Sequence, residues 1–210
     1  MSDMSPTEGE RSLPLGRRVQ CVVSYLNSPH TNMAHIDYPP VDSLPPALQE
    51  VLRKKKSNVF RMLMHSPGIA PGLLTFAEAV KRENSLPADL MELAILRVGY
   101  ACEATYETSR HEHYGRAVGL SGATIEAARS NEGIASIRSI DRTVIALTDD
   151  ILKNDGLSSA GRERALQTFG TGQVSDLVLT VGLYKCVCYF LRSFGVDIES
   201  SEDRPSSPTG

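Results

Sequence analysis

The run Leu90-Met91-Glu92-Leu93-Ala94-Ile95-Leu96 is too apolar to be the solvated face of a helix, yet it carries a carboxylate at its third position. A helix that is apolar on all sides has to be covered by the rest of the fold. Burying an unpaired charge costs several kcal/mol or more, so Glu92 is expected to be either protonated or paired.

The rest of the chain reads as helices to do the covering. Ser43-Leu44-Pro45-Pro46 opens a helix to about Lys56, with proline tolerated in the first turn. Asn58 is expected to cap a second helix, which Ser66-Pro67-Gly68 breaks, and Pro71-Gly72 starts a third that ends near Glu83-Asn84. Ser85-Leu86-Pro87 begins the Glu92 helix. After a break near Ala101 to Ala104 comes the helix bearing Glu107 and His111, which Gly119 ends. Ser121 caps a short helix to about Arg129; Ser139 to Asn154 is amphipathic and stopped by Gly156; Ser159 to Phe169 follows. The last helix keeps helical spacing through Val174, Leu177, Val178, Val181, Tyr184, Val187, Cys188 and Leu191. No segment alternates with the period of a strand over any length, so the class is all-α.

Composition narrows the functions. A chain of 210 residues that is 41% hydrophobic can bury one full core. Its net charge of −3 gives no electrostatic footprint for nucleic acid or an anionic membrane. Lys54-Lys55-Lys56 is the one basic run and closes a helix, where cations complement the dipole. No apolar stretch reaches the roughly 18 residues expected of a membrane span. The acidic start, with Asp3, Glu8 and Glu10, does not suit a signal peptide. Cys21, Cys102, Cys186 and Cys188 form no disulfide framework, and the expectation is a reduced, cytoplasmic protein. Residues 1–37 read as a flexible extension, 38–198 as the folded domain and 199–210 as a disordered tail.

Glu107 and His111 are four residues apart and share one face of their helix, so a carboxylate and an imidazole can meet at one spot. Two acids and a histidine, with neither a nucleophile nor metal-ligand spacing, suggest proton transfer. The alternative is an ordinary exposed pair. His111-Glu112-His113 resembles a ligand cluster, but two ligands from one helix usually come from i, i+3 or i, i+4. No metal or cofactor is expected. Arg61 is a candidate anchor for a substrate carboxylate or else the partner of an acid in the core, and Tyr106 and Tyr114 are candidate pocket donors or else packing residues. Arg97, on the Glu92 helix, is read as a buried counter-ion. Cys102 is not expected to act as a nucleophile, and Cys186 and Cys188 are read as packing residues.

Several segments carry a family resemblance in their order and spacing. They are Asn58-Val59-Phe60-Arg61-Met62-Leu63-Met64-His65-Ser66-Pro67 and Glu92-Leu93-Ala94-Ile95-Leu96-Arg97-Val98, then His111 followed by Gly119-Leu120-Ser121. Leu179-Thr180-Val181-Gly182-Leu183-Tyr184 and Phe190-Leu191-Arg192-Ser193-Phe194-Gly195-Val196 complete the set. From about Asp37 to Asp197 the chain resembles the carboxymuconolactone decarboxylase and alkylhydroperoxidase D-like superfamily. The resemblance implies an orthogonal helical bundle and a homo-oligomer, commonly a trimer or hexamer. In the peroxidase branch the working set is a glutamate, a Cys-x-x-Cys pair and a histidine. The glutamate falls on Glu92 and the histidine on His111, but the two cysteine positions fall on Ala104 and Glu107. Neither a methyl group nor a carboxylate replaces a peroxidatic thiolate, so thiol peroxidase activity is disfavoured.

The chain is similar instead to the decarboxylase branch, whose reaction removes CO2 from a carboxylated unsaturated lactone without a metal or organic cofactor. That chemistry asks for a proton donor and for a hydrogen bond to the carbonyl where negative charge develops. The resemblance implies His111 as general acid/base, Glu107 as its tuning or relay group, and Glu92 as a second acid or the group that orients His111. The expected function is a cofactor-free lyase on a small carbonyl-containing acid or lactone, most simply a decarboxylase, with a specialised or secondary-metabolite pathway in view. The alternatives are an isomerase or dehydratase using the same site, or a non-catalytic oligomer that binds a small molecule or a partner.

Overall fold

A computed structural model describes residues 36–199 of the chain; most of the N-terminal extension and nearly all of the tail lie outside them. The helices are α1 (Pro46–Lys54), α2 (Asn58–Leu63), α3 (Ala70–Arg82), α4 (Ala88–Ala101), α5 (Thr105–Ala117), α6 (Gly122–Ser130), α7 (Ser139–Asn154), α8 (Ser159–Thr168) and α9 (Thr171–Phe194). No strand occurs among the described residues, and the all-α class holds.

The breaks fall where the chain's chemistry puts them. Ser121 accepts a hydrogen bond from the Thr124 amide at 3.0 Å, capping α6, and Ser158 does the same for α8. Gly119, at a φ of 97°, turns the chain after α5. Asn58 differs from expectation. It lies inside α2, whose N-cap is Ser57 without a side-chain cap bond. The Asn58 Nδ2 donates instead to the Asp197 carbonyl at 3.0 Å, tying α2 to the segment beyond α9.

The apolar run of α4 sits at the centre, with Leu93, Ala94, Ile95, Leu96 and Val98 fully buried. It packs against α5, α6, α7 and α9. At 24 residues α9 is the longest helix, about 36 Å at 1.5 Å per residue. It also corrects the expectation about apolar length. Its mean hydropathy of 1.5 over its most apolar window makes it long and apolar enough to cross a membrane. Counting unbroken runs missed this, because Thr180, Gly182 and Lys185 interrupt the apolar residues without lowering their average much. Of that window 44% is buried, with Leu177, Val181 and Cys188 in the core beside α4.

Two local features bring α4 and α5 close. Glu103 takes a left-handed φ of 52°, which reverses the chain in a three-residue link. A non-glycine residue there costs roughly 1 kcal/mol. Gly99 supplies the clearance, since a Cβ at that position would stand 2.9 Å from the Thr108 methyl group on α5. The carboxylate of the buried helix and the imidazole of its neighbour are thereby held within bonding distance.

Candidate active site

Glu92, Glu107 and His111 are all buried, exposing 6%, 5% and 4% of their surfaces. The His111 Nδ1 lies 2.6 Å from the Glu92 Oε2, and its Nε2 lies 2.9 Å from the Glu107 Oε1. The imidazole is therefore gripped at both nitrogens, by α4 on one side and by its own helix on the other. Tyr184 of α9 and Tyr114 of α5 stand edge-on to the ring, at centroid separations of 5.1 and 5.4 Å. The ordinary exposed pair that the spacing of Glu107 and His111 also allowed is not what forms.

The electrostatics follow from this enclosure. Burial disfavours the imidazolium, but the charge and hydrogen bond of Glu107, and then those of Glu92, outweigh it. The His111 pKa rises from 6.5 to about 9. At neutral pH the ring then donates from both nitrogens, and the cluster is a cation between two acids.

A cavity of about 790 Å³ opens over one side of this cluster. Glu107 and His111 line it, whereas Glu92 lies behind them. Glu107 and His111 are therefore both open to a bound molecule, and Glu92 holds the ring by its other nitrogen. Leu63, Leu73, Leu74, Ala77, Leu183 and Val187 give the cavity apolar walls. Its rim is basic. Lys54, Lys55, Lys56, Arg61, Lys81 and Arg110 all reach it. Lys54 and Lys55 have carboxylate partners in Glu50 and Glu78, at 3.3 and 3.5 Å. Among the described residues Lys56, Arg61 and Lys81 have none. The basic run that reads in sequence as a helix terminus is therefore also part of a cavity mouth.

The other candidates are placed as follows. Arg61 is exposed, stacks on Tyr38 at 4.2 Å and reaches the Asn58 Oδ1 at 3.3 Å, so its guanidinium stands at the rim. Tyr106 lines the cavity but donates its hydroxyl to Glu199 at 2.5 Å. The Tyr114 hydroxyl accepts from Arg110 at 2.9 Å. His113 is exposed and takes no part. Arg97 is not the partner of Glu92: it makes two bonds to Asp149, at 2.6 and 2.8 Å, and one to the Ala128 carbonyl at 2.8 Å. The helical turn separating Glu92 from Arg97 points the guanidinium at α6 and α7 instead. Among the described residues, no group of three or more His, Cys, Asp or Glu side chains is arranged to hold a metal ion.

Glu199 overturns its assignment to the tail. Its carboxylate is buried, accepts from the Asn58 amide at 2.7 Å and from Tyr106, and pairs with Arg110 at 3.1 Å. The segment after α9 thus folds back and fixes the two α5 side chains that edge the cavity. Nothing local marks this, because a glutamate among serines and acids reads as solvated.

Cys21 lies outside the described residues, and the three described thiols do not line the cavity. Cys102, half-buried at the end of α4, is hydrogen-bonded by Cys188 of α9; that bond, with Lys185 and Arg192 nearby, lowers its pKa. Cys188 packs in the core as expected, whereas Cys186 is exposed and does not.

The architecture matches known structures. The core of an alkylhydroperoxidase AhpD, an uncharacterised peroxidase-related protein from Ralstonia eutropha JMP134, superposes with a TM-score of 0.69 at 17% identity, over 80% of this chain and 93% of that one. A peroxidase-related protein from Silicibacter sp. TM1040 gives 0.67 at 15% identity, over 79% and 91%. The debrominase Bmp8, in complex with 2,3,4-tribromopyrrole, gives 0.65 at 13% identity, over 80% and 94%. The chain therefore has the AhpD-like all-α fold. No protein-family model matches the sequence, and no curated protein does.

Proposed function

We propose that this protein is a cofactor-free lyase acting on a small acid or lactone that carries a carbonyl group, with decarboxylation as its reaction. The observation that carries this reading is the buried chain Glu92–His111–Glu107, which ends at a cavity with a basic mouth and apolar walls. The rim cations Lys56, Arg61 and Lys81 suit an anionic substrate, and the apolar walls suit its carbon skeleton.

The reaction balances as follows. The bond to the departing carboxylate breaks, CO2 leaves, and its electron pair passes through the conjugated system to the carbonyl oxygen. The His111 Nε2 passes its proton to the Glu107 carboxylate, which delivers it to carbon as the carbonyl re-forms. The neutral ring keeps its Nδ1 proton on Glu92 and regains the other from solvent. An imidazole with a pKa near 9 is protonated at the start of each cycle, which fits an acid better than a base.

The same chain of groups would serve an isomerase or dehydratase, which differ in whether CO2 is released. A non-catalytic binding protein would keep the cavity without needing two acids on one histidine. Bmp8 lends its fold to the argument but not its substrate. A reduced, cytoplasmic setting is supported by the free thiols Cys102, Cys186 and Cys188. A homo-oligomer is supported by the apolar side chains that α9 leaves exposed, Leu179 and Tyr189. The deciding experiment measures CO2 release from a panel of carboxylated lactones and β-keto acids. Release by the wild type that disappears in His111→Gln is expected; turnover without CO2 would favour the isomerase, and no turnover of any member would favour the binding protein.

A further inference from the structure

Tyr106, Tyr114 and Tyr184 line the cavity, and their hydroxyls differ in one respect. The Tyr106 hydroxyl donates to Glu199, and the Tyr114 hydroxyl accepts from Arg110. Tyr184 is 96% buried, exposing only 4%, and among the described residues nothing hydrogen-bonds its hydroxyl. The one fully enclosed side-chain polar atom without a partner among the described residues is the Thr148 Oγ1, so the Tyr184 oxygen opens onto the cavity. A donor placed there is completed by a bound molecule.

Its neighbours show what that molecule must offer. The Tyr184 ring stands edge-on to His111, with the planes at 85°. Burial, and after it the carboxylates of Glu107 and Glu92, push its pKa well above the usual 10. The hydroxyl therefore keeps its proton at any working pH. It can donate a hydrogen bond, but it cannot serve as a base. A neutral donor fixed in a dry site beside a proton relay is what stabilises charge developing on an oxygen.

Building on the lyase reading above, we propose that the Tyr184 hydroxyl binds the substrate's carbonyl oxygen and stabilises the negative charge that develops there as the carbon–carbon bond breaks. Tyr184 gives up no proton in this step: it donates a hydrogen bond to the enolate oxygen while Glu107 and His111 protonate carbon. The substrate must then present an acceptor oxygen conjugated with the bond that breaks, while its anionic group faces the rim lysines. A halogenated ring without such an oxygen would leave Tyr184 unsatisfied.

The test removes the hydroxyl and keeps the ring, in Tyr184→Phe, with Tyr189→Phe, exposed on the same helix and outside the cavity lining, as the control. The probe is 4-nitrophenol, a planar conjugated ring whose phenolate form mimics the enolate and absorbs visible light. Its titration needs no knowledge of the natural substrate. Wild type and Tyr189→Phe are expected to bind the phenolate, and Tyr184→Phe to bind it roughly 10- to 100-fold more weakly, as for a lost hydrogen bond to a charged group. With a turned-over substrate, kcat should fall about 10²- to 10³-fold with KM little changed. Equal phenolate binding by wild type and Tyr184→Phe overturns the proposal, as does a wild type that does not bind the phenolate. Selective loss in Tyr184→Phe from a protein that turns over nothing in the panel would keep the donor and reject the lyase. Unchanged binding beside a dead His111→Gln would do the reverse. Because Tyr184→Phe removes an oxygen that bonds to no described protein group and keeps the ring, its melting temperature should stay close to the wild type's, so a folded variant is available for every arm.

Discussion

On helix α4 the charged side chains Glu92 and Arg97, five residues apart, meet opposite fates. Arg97 turns toward α6 and α7, where Asp149 takes both ends of its fork and the Ala128 carbonyl takes a third bond. Asp149 keeps 42% of its side chain in solvent, so the pair is only half desolvated. Glu92 turns toward α5, where its partner is a histidine already held by a second acid, and all three side chains expose 8% or less. The first arrangement is matched: one cation, one anion and three hydrogen bonds from the guanidinium. The second has an acid in excess, a proton that can move and a cavity against it. Stability explains Arg97 and Asp149. It does not explain two carboxylates on one buried imidazole, and that surplus is the reason to look for chemistry there.

The largest expected effect tests that contrast at its functional end. Replacing His111 with Gln should lower turnover of a decarboxylated substrate by about 10² to 10⁴, the usual contribution of a positioned acid. Replacing Arg97 with Met should leave turnover per folded molecule unchanged. Measured side by side, a loss of turnover in Arg97→Met at full folding, or full turnover in His111→Gln, would reverse the assignment of the two regions.

The next effect is on stability, and it falls on the other region. Arg97→Met strands Asp149 and uncaps the Ala128 carbonyl. Because Asp149 remains half in solvent, the cost should be about 2 kcal/mol, below the 3–5 of a fully buried pair. Urea melts check this. A cost above about 5 kcal/mol would mean that the pair is as desolvated as the site.

What the sequence discloses follows the same division. Local signals were enough for the helices: proline and glycine breakers, the serine at Ser121 and the apolar period of α9 all act within a few residues. The face shared by Glu107 and His111 is also local. Their meeting with Glu92 is not, but an isolated acid in an apolar run needs a partner, and the question has a short answer once the helices are known. Arg97 shows how that reasoning fails, since a buried cation on the same helix looks equally available until its direction is seen. Glu199, Lys81 and Tyr184 lay beyond reach. A carboxylate in a polar stretch, a lysine on an amphipathic helix and a tyrosine on an apolar one carry no mark of the cavity they share.

A smaller effect concerns pH. The folded pKa of His111 is raised, from 6.5 to about 9, so the stability this provides is fully present below about 6.5 and is lost as the pH rises through 9. Glu107→Gln removes the stronger of the two carboxylate influences and should move that loss to lower pH. Glu92→Gln should do so to a lesser degree while preserving the cavity face. Thermal melts from pH 6 to 10 would show both shifts. An alkaline limb that stays in place in both variants would mean that His111 is not the group that titrates.

The smallest expected effect belongs to the thiols, and it separates this site from peroxidase chemistry. The family resemblance places the two cysteines of that chemistry at Ala104 and Glu107, and no cysteine among the described residues lines the cavity. Cys102 nonetheless has a lowered pKa, because Cys188 donates to it with Lys185 and Arg192 close by, and a lowered pKa favours the reactive thiolate. The two cysteines also span α4 and α9, so any role they had would be felt at the site through packing. Cys102→Ser and Cys186→Ser should leave turnover and stability as they are. Cys188→Ala empties part of the core and should cost about 1–2 kcal/mol in melts, with turnover per folded molecule unchanged. If turnover instead vanished with Cys102 alone while the Glu92–His111–Glu107 chain stayed intact, the working group would lie at the far end of α4, and the contrast between its two charged regions would no longer locate the chemistry.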